Sequence, residues 1–277
     1  MNTLIVKPLA GLANKLRVIE SALSLAHQLN VKPHILWVTD WQMVARYDEL
    51  FEPNELFTIS YTDKFTYCRS SFSLKGIKRP VGKIINKLSG VDVMFNDVDI
   101  AHHVRTGEWD IRKIATGSDS IYINTCHDFY SFHYKFSWVK PIRKISIAVN
   151  RYMDHIKGNY CIGLHIRRTD NAASITSSTD DLFEEAIRKE IEKDSKCFFF
   201  LATDDPNTED HFLRMFGKER ILVYPKKFGR DSVEAIQDAV VDWILLGKCS
   251  KLYCSYWSSF SETAAVVANS EVSILKV

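Results

Sequence analysis

The chain has 277 residues, of which 46% are hydrophobic and 25% charged, and its formal net charge is +2. Such a composition supplies a full core, and so small a net charge excludes a broad electrostatic grip on nucleic acid, leaving any anion binding to local clusters. No apolar run reaches the ~20 residues needed to span a bilayer.

The length fits one large domain or two small ones. At the N-terminus, Met1-Asn-Thr-Leu-Ile-Val-Lys-Pro8 breaks its apolar run too early for a signal peptide and reads as a first strand. The cysteines at 68, 126, 161, 197, 249 and 254 form no CxxC pair and no Cys/His spacing of the zinc kind. Reduced thiols and a cytoplasmic setting follow, with peripheral membrane attachment or an excised secretory-pathway catalytic domain as alternatives.

In chain order, Leu4-Ile-Val is a strand and Pro8-Leu-Ala-Gly11-Leu-Ala-Asn14 a turn. A helix from Lys15 to Leu29 follows, with Leu16, Ile19, Leu23 and Ala26 at helical spacing. His34 to Val38 is the next strand and completes a βαβ unit. Its turn has one glycine rather than GxGxxG and is no dinucleotide fingerprint; Asn14 fits a helix cap. Trp41 to Phe51 reads as helical. From Lys64 to Lys87, Lys75, Lys78, Arg79, Lys83 and Lys87 interleave with Phe72, Ile77 and Ile84. This stretch reads as a solvated helix face, with a basic flap beside an anionic substrate as the alternative. Ser120 to Asn124 is a strand, and the loop after it, with His127, Asp128 and several aromatics, suits a sugar site or inter-domain packing equally.

A domain boundary falls near Trp138 to Pro141, dividing the chain into 1–139 and 140–277. Beyond it a helix from Lys140 to Lys157 leads through Gly158-Asn159 to an apolar strand ending in His165-Ile-Arg167-Arg168-Thr-Asp170. Strands at Cys197–Ala202, Ile221–Tyr224 and Lys251–Ser255 then alternate with helices at 179–193, 207–216, 231–248 and 259–269. That alternation predicts an α/β fold with a parallel sheet in each half.

Open α/β sheets bind ligands at the carboxyl ends of their strands. Arg167 and Arg168 at such an end suit a multi-oxygen anion; the alternative is surface pairing with Asp170 or Asp204. Thr203-Asp204-Asp205-Pro206 ends a neighbouring strand, and Asp205-Pro206 can open a helix. Asp242 interrupts an apolar helix and requires a partner or a ligand. Ser259 and Glu262 have capping-box spacing, so Ser258, Ser259 and Phe260 open a helix whose N-terminus would hold phosphate.

His165-Ile-Arg-Arg-Thr-Asp170 resembles the His-x-Arg-Arg-x-Asp motif of α1,6-fucosyltransferases. Ala202-Thr-Asp-Asp-Pro206, the Asp242 helix and Ser258-Ser259 are similar to that family's later motifs in the same order, so the likeness covers residues 160 to 265. Gly11-Leu-Ala-Asn14 resembles the Gly-x-x-Asn turn of protein O-fucosyltransferases. The resemblance implies a GT-B-like fold, with two Rossmann-like domains whose parallel sheets face across a cleft. It implies GDP-fucose as donor, a glycan acceptor on the 1–139 side, inversion, and no metal or other cofactor. Arg167, with Arg168, would neutralise the departing diphosphate, and Ser258 and Ser259 would hold it. His165, Asp204, Asp242 and Phe260 would serve the donor, and Gly11, Asn14, His127 and Asp128 the sugar or acceptor.

The α1,6 enzymes place a glutamate soon after the motif, whereas Asn171 to Thr179 contains no acid. Asp170, Asp128 and His127 are the candidate bases. Two competing readings are a transferase of the same fold for another nucleotide sugar, and a non-catalytic nucleotide- or glycan-binding protein. The absence of GxxxxGK[ST] excludes a P-loop kinase.

Overall fold

The computed structural model describes residues 3–73, 78–156 and 160–277; Lys75, Ile77, Gly158 and Asn159 lie outside the described residues. The chain folds as two compact units, Met1–Lys140 and Pro141–Val277.

In the first unit, β1 (Thr3–Pro8), β2 (His34–Leu36), β3 (Thr58–Ser60), β4 (Val93–Phe95) and β5 (Ser120–Thr125) form a parallel sheet in the order β3-β2-β1-β5-β4. The helices are α1 (Leu12–Leu29), α2 (Lys78–Leu88), α3 (Asp97–Thr106) and α4 (Ile111–Thr116). Leu4 and Val6 are fully buried in β1, as are Leu16 and Ile19 in α1. The burial of these residues follows the apolar periodicity.

Two local expectations fail here. Gly11, not Asn14, is the N-cap of α1, so the helix begins at Leu12 and Asn14 lies within its first turn. The turn that allows this passes through Ala10 at φ 63. Nor is Trp41–Phe51 a helix. The Asp40 carboxylate accepts from the N–H groups of Gln42 and Met43, and only Tyr47–Glu49 makes a 3₁₀ turn. Such side-chain bonding competes with helix formation.

The loop after β5 is built on α1. The buried Glu20 carboxylate accepts from the N–H groups of Tyr134 (2.8 Å), Lys135 (3.0 Å) and Phe136 (3.0 Å), and from the Trp138 indole (2.7 Å). Ser21 and Ser24 accept from Phe129 N and His133 N.

The second unit begins with α5 (Arg143–Ile156). Its sheet comprises β6 (Cys161–Ile166), β7 (Phe198–Thr203), β8 (Ile221–Val223), β9 (Lys251–Ser255) and β10 (Glu271–Leu275), parallel throughout in the order β10-β9-β6-β7-β8. The intervening helices are α6 (Ala172–Ser177), α7 (Asp180–Lys193), α8 (Pro206–Phe216), α9 (Val233–Leu246) and α10 (Ser259–Ala268). Every residue of the central strand β6 is buried, as its unbroken apolar run requires. Neither the six-residue α6 nor the edge strand β10 is expected from the sequence pattern. The six cysteines are free, all buried except Cys126. No described helix is long and apolar enough to cross a membrane.

Candidate active site

Because β9, β6 and β7 are consecutive in the sheet, the three loops at their carboxyl ends are neighbours. Side chains of the flanking loops fix the backbone of the central one. Arg167 N–H donates to Ser255 Oγ (3.1 Å), Arg168 N–H to Asp204 Oδ1 (2.7 Å) and Thr169 Oγ1 to Asp204 Oδ2 (2.6 Å). Asn171 Nδ2 donates to the carbonyl of Trp257 (2.8 Å). Asp204 thus spends both oxygens on the loop after β6. Asp205 caps α8 through Thr208 N (2.8 Å), with Pro206 in its first turn.

The two arginines diverge, as successive residues of an extended segment must. Arg168 turns to Asp180 at the start of α7 (Nε–Oδ1 3.0 Å), with its guanidinium 5.9 Å from the ring centroid of buried Phe183. Arg167 instead donates from Nε (2.9 Å) and Nη2 (2.6 Å) to Asp170 Oδ1. Asp170 Oδ2 meets Arg230 Nη1 at 2.9 Å. Two guanidiniums therefore converge on one carboxylate, a geometry equally suited to a phosphate. Arg230 lies between β8 and α9, in a loop whose approach only the folded chain reveals.

Beside this pair, α10 starts one residue earlier than the capping-box spacing implies. Its N-cap is Ser258, whose side chain makes no cap bond and whose buried Oγ has no hydrogen-bond partner. Ser259 occupies the first helical position. The left-handed Trp257 (φ 54) makes the turn before it. The helix N-terminus and the orphaned hydroxyl form a place for an anion.

His165 is buried and stacks on Phe260, with ring centroids 5.0 Å apart. Burial pushes its pKa down to about 3 against the pull of Asp204, with Arg167, Lys226 and Arg168 adding to the fall. Its ring is neutral at ordinary pH, and its buried Nδ1 has no partner. Asp242 meets Lys226 at 2.8 Å through Oδ2, while its buried Oδ1 has no hydrogen-bond partner. Burial raises its pKa to about 6, with Lys226 opposing. One turn earlier, Asp238 accepts from Tyr224 Oη and Lys227 N. Each buried polar atom without a partner costs roughly 1–3 kcal/mol, and His165 Nδ1, Asp242 Oδ1 and Ser258 Oγ are three such atoms in this unit.

In the first unit, β1 and β5 are adjacent, so the Gly11 turn and the Cys126–Asp128 segment share one sheet edge. Arg17, absent from the sequence-derived set, links them: its Nε donates to Cys126 O (2.8 Å) and its Nη1 lies 3.8 Å from Asp128. Buried Lys15 donates to Pro8 O (2.8 Å) and Val38 O (3.1 Å). Burial lowers its pKa to about 8, opposed by Asp40. Asp97, Cys126 and His127 bring three potential metal-ligand atoms within 4.8 Å of one another. Asp97 is committed on one side to Thr125 Oγ1 and Cys126 N, both at 2.8 Å.

No protein-family model matches the chain, and no curated protein does. Solved structures match over nearly its whole length. Fucosyltransferase NodZ from Bradyrhizobium is 18% identical with a TM-score of 0.61, over 95% of this chain and 93% of its own. The apo form of POFUT1 is 11% identical with a TM-score of 0.59, over 100% and 98%. A mutant of Arabidopsis thaliana FUT1 in complex with GDP is 12% identical with a TM-score of 0.61, over 99% of this chain and 70% of that one. Two parallel α/β units in this order, matched over both halves, give the chain a fucosyltransferase-like fold.

Proposed function

We propose that the chain is an inverting glycosyltransferase that moves fucose from GDP-fucose to a glycan or glycoconjugate acceptor. The observation that carries this reading is the convergence of Arg167 and Arg230 on one carboxylate, beside the N-terminus of α10, in a fold shared with fucosyltransferases. Structures of that fold include NodZ alpha-1,6-fucosyltransferase soaked with GDP-fucose and POFUT1 in complex with GDP-fucose. The GT-B arrangement, with two sheets facing across a cleft, belongs to the same proposal.

In this reading the diphosphate takes the place of Asp170 between Arg167 and Arg230 and accepts from Ser258 and Ser259. Negative charge grows on the leaving GDP as the glycosidic bond breaks, and Arg167 meets it there. Asp242 Oδ1 accepts from the guanine edge, while neutral His165, held by Phe260, offers Nδ1. Arg168 and Asp204 act through the backbone they hold. Asp170, once displaced, is the base nearest the reacting centre. Gly11, Asn14, His127 and Asp128 serve the sugar or acceptor, His127 and Asp128 being the alternative bases.

Calorimetry with nucleotides tests the donor: GDP is expected to bind more tightly than UDP or ADP, and equal or tighter UDP binding overturns the fucosyl assignment. EDTA is expected to leave transfer intact, because Asp204 and Asp205 are both engaged in structural bonds and the cations already present match the diphosphate charge. Loss of transfer in EDTA, restored by Mn²⁺ or Zn²⁺, would contradict the metal-free reading and point to Asp97, Cys126 and His127.

Asp242 gives the reading a pH signature. A carboxylate that accepts from guanine must be ionised, and its free-enzyme pKa is about 6. Affinity for GDP-fucose should be flat above pH 6 and fall toward tenfold per unit below it. The donor's doubly esterified diphosphate does not titrate there, unlike the terminal phosphate of GDP. Asp242→Asn should bind more weakly and flatten the profile; an unchanged slope would remove Asp242 from the nucleoside site.

A non-catalytic nucleotide-binding protein is the second reading, favoured by the absence of an acid from Asn171 to Thr179 and by the engagement of both Asp170 oxygens. GDP binding without donor hydrolysis or transfer would select it.

A further inference from the structure

We propose that α2 docks the protein on an anionic phospholipid surface, an inference independent of the fucosyl reading. The helix packs inward through a narrow face, with Ile85 half-buried beside it and all its lysines and its arginine exposed. Its buried residues are Gly82 and Asn86, and Asn86 holds the preceding loop by exchanging hydrogen bonds with Arg69, Nδ2 to O and N to Oδ1, both at 2.8 Å. On the outward side, Val81 is 50%, Ile84 60% and Leu88 84% exposed. Spaced i, i+3 and i+7, these three form one stripe, roughly 150° around the helix from Gly82 and Asn86 at 3.6 residues per turn.

An ordinary surface helix does the reverse, facing its apolar stripe to the core. A contiguous exposed apolar stripe marks an interaction surface rather than scattered surface hydrophobes. Its charge identifies the partner. Lys78, Arg79, Lys83 and Lys87 share the helix with the stripe, and no Asp or Glu occurs between Asp63 and Asp92. The whole chain carries only +2, so positive charge is concentrated here. At 3.6 residues per turn Lys78 and Lys87 flank the stripe roughly 90° to either side, with Lys83 farther round; an apolar face bordered by lysines is the arrangement that lies in the headgroup layer of an anionic bilayer, its aliphatic side chains among the acyl ends and its cations on the lipid phosphates. With 11 residues, α2 is far too short to span, so the attachment is lateral and reversible.

The test is co-sedimentation of the full chain with vesicles of phosphatidylcholine alone or mixed with phosphatidylglycerol. Partitioning onto the anionic vesicles should be greater by about tenfold or more at low salt. It should weaken as salt contracts the Debye length from ~10 Å at 0.1 M to ~3 Å at 1 M. Ile84→Asp with Leu88→Asp should abolish binding by removing the apolar stripe. Lys83→Glu with Lys87→Glu should abolish the preference for phosphatidylglycerol. All four side chains are exposed, so the thermal midpoint of each variant should match the parent, which separates lost docking from lost folding. Equal binding to both vesicle types, or binding unaffected by both double variants, overturns the proposal. So does a lipid-free dimer that the α2 variants dissolve, since the stripe would then belong to a second copy of the chain.

Discussion

Arg167→Ala is expected to lower kcat by roughly 10²- to 10³-fold, equivalent to about 3–4 kcal/mol of transition-state stabilisation, with a smaller rise in donor KM. The asymmetry follows from where the charge develops: the guanidinium meets the diphosphate in the ground state, but the interaction strengthens as GDP departs. Arg167→Lys keeps the cation and loses the fork that now grips Asp170 through Nε and Nη2, so it should rescue little. Arg168→Ala makes the contrast. That side chain is tied to Asp180 and lies over Phe183, so its loss should lower the thermal midpoint more than kcat. Steady-state kinetics and a melting curve on the three variants decide the matter. An Arg168→Ala protein that melts normally and is catalytically dead would reverse the roles of the two arginines, and an active Arg167→Ala protein would remove the clamp.

Much of this geometry is legible in the sequence because it sits at the ends of strongly patterned elements. The short apolar run from Cys161 to Ile166, bounded by Gly158-Asn159, reads as a strand covered on both faces, and the strand found there puts Arg167 at its carboxyl end. Asp205-Pro206 marked a helix start by local chemistry alone, and the Asp205 side chain does cap α8. The fucosyltransferase-like fold was legible through the ordered likeness of residues 160 to 265. Residues brought in by tertiary contacts were not legible. Arg230 and Lys226 belong to a loop of lysines and arginines whose sequence gives no direction, and only the folded chain sets them against Asp170 and Asp242. The apolar residues of Trp41–Phe51 have a spacing compatible with a helix, but Asp40 turns the chain first, and Tyr47, Leu50 and Phe51 are buried from a single 3₁₀ turn and the residues that follow it. The strand β10 has exposed, alternating residues and gains its place only by pairing with β9. Of the basic stretch Lys64–Lys87, read as a solvated helix face, only the part from Lys78 is helical, and residues 64–73 are loop. Which side would face outward was a tertiary fact, set by Asn86 and Arg69.

Glu20→Ala is expected to be the most damaging single change to the first unit. Its carboxylate is fully buried and accepts from three consecutive backbone N–H groups and the Trp138 indole. Removing it leaves four donors unpaired, Phe136 N and the Trp138 indole in buried contacts and Tyr134 N and Lys135 N in half-buried ones; each buried one is worth roughly 1–3 kcal/mol and the set less than its sum. A loss of about 3–5 kcal/mol is the expected scale, or a fall of roughly 10–20 °C in the thermal midpoint of a unit of this size. Glu20→Gln should lie between, since one oxygen still accepts while the amide turns donors toward donors. The loop from Cys126 to Trp138, which carries His127 and Asp128, is shaped by these bonds. Limited proteolysis should therefore cut there first in Glu20→Ala. Calorimetry should resolve an early transition for Met1–Lys140, with nucleotide binding by Pro141–Val277 retained below it. A midpoint unchanged within a degree or two would mean that water satisfies those donors as well as the carboxylate does, and that Glu20 does not organise the loop.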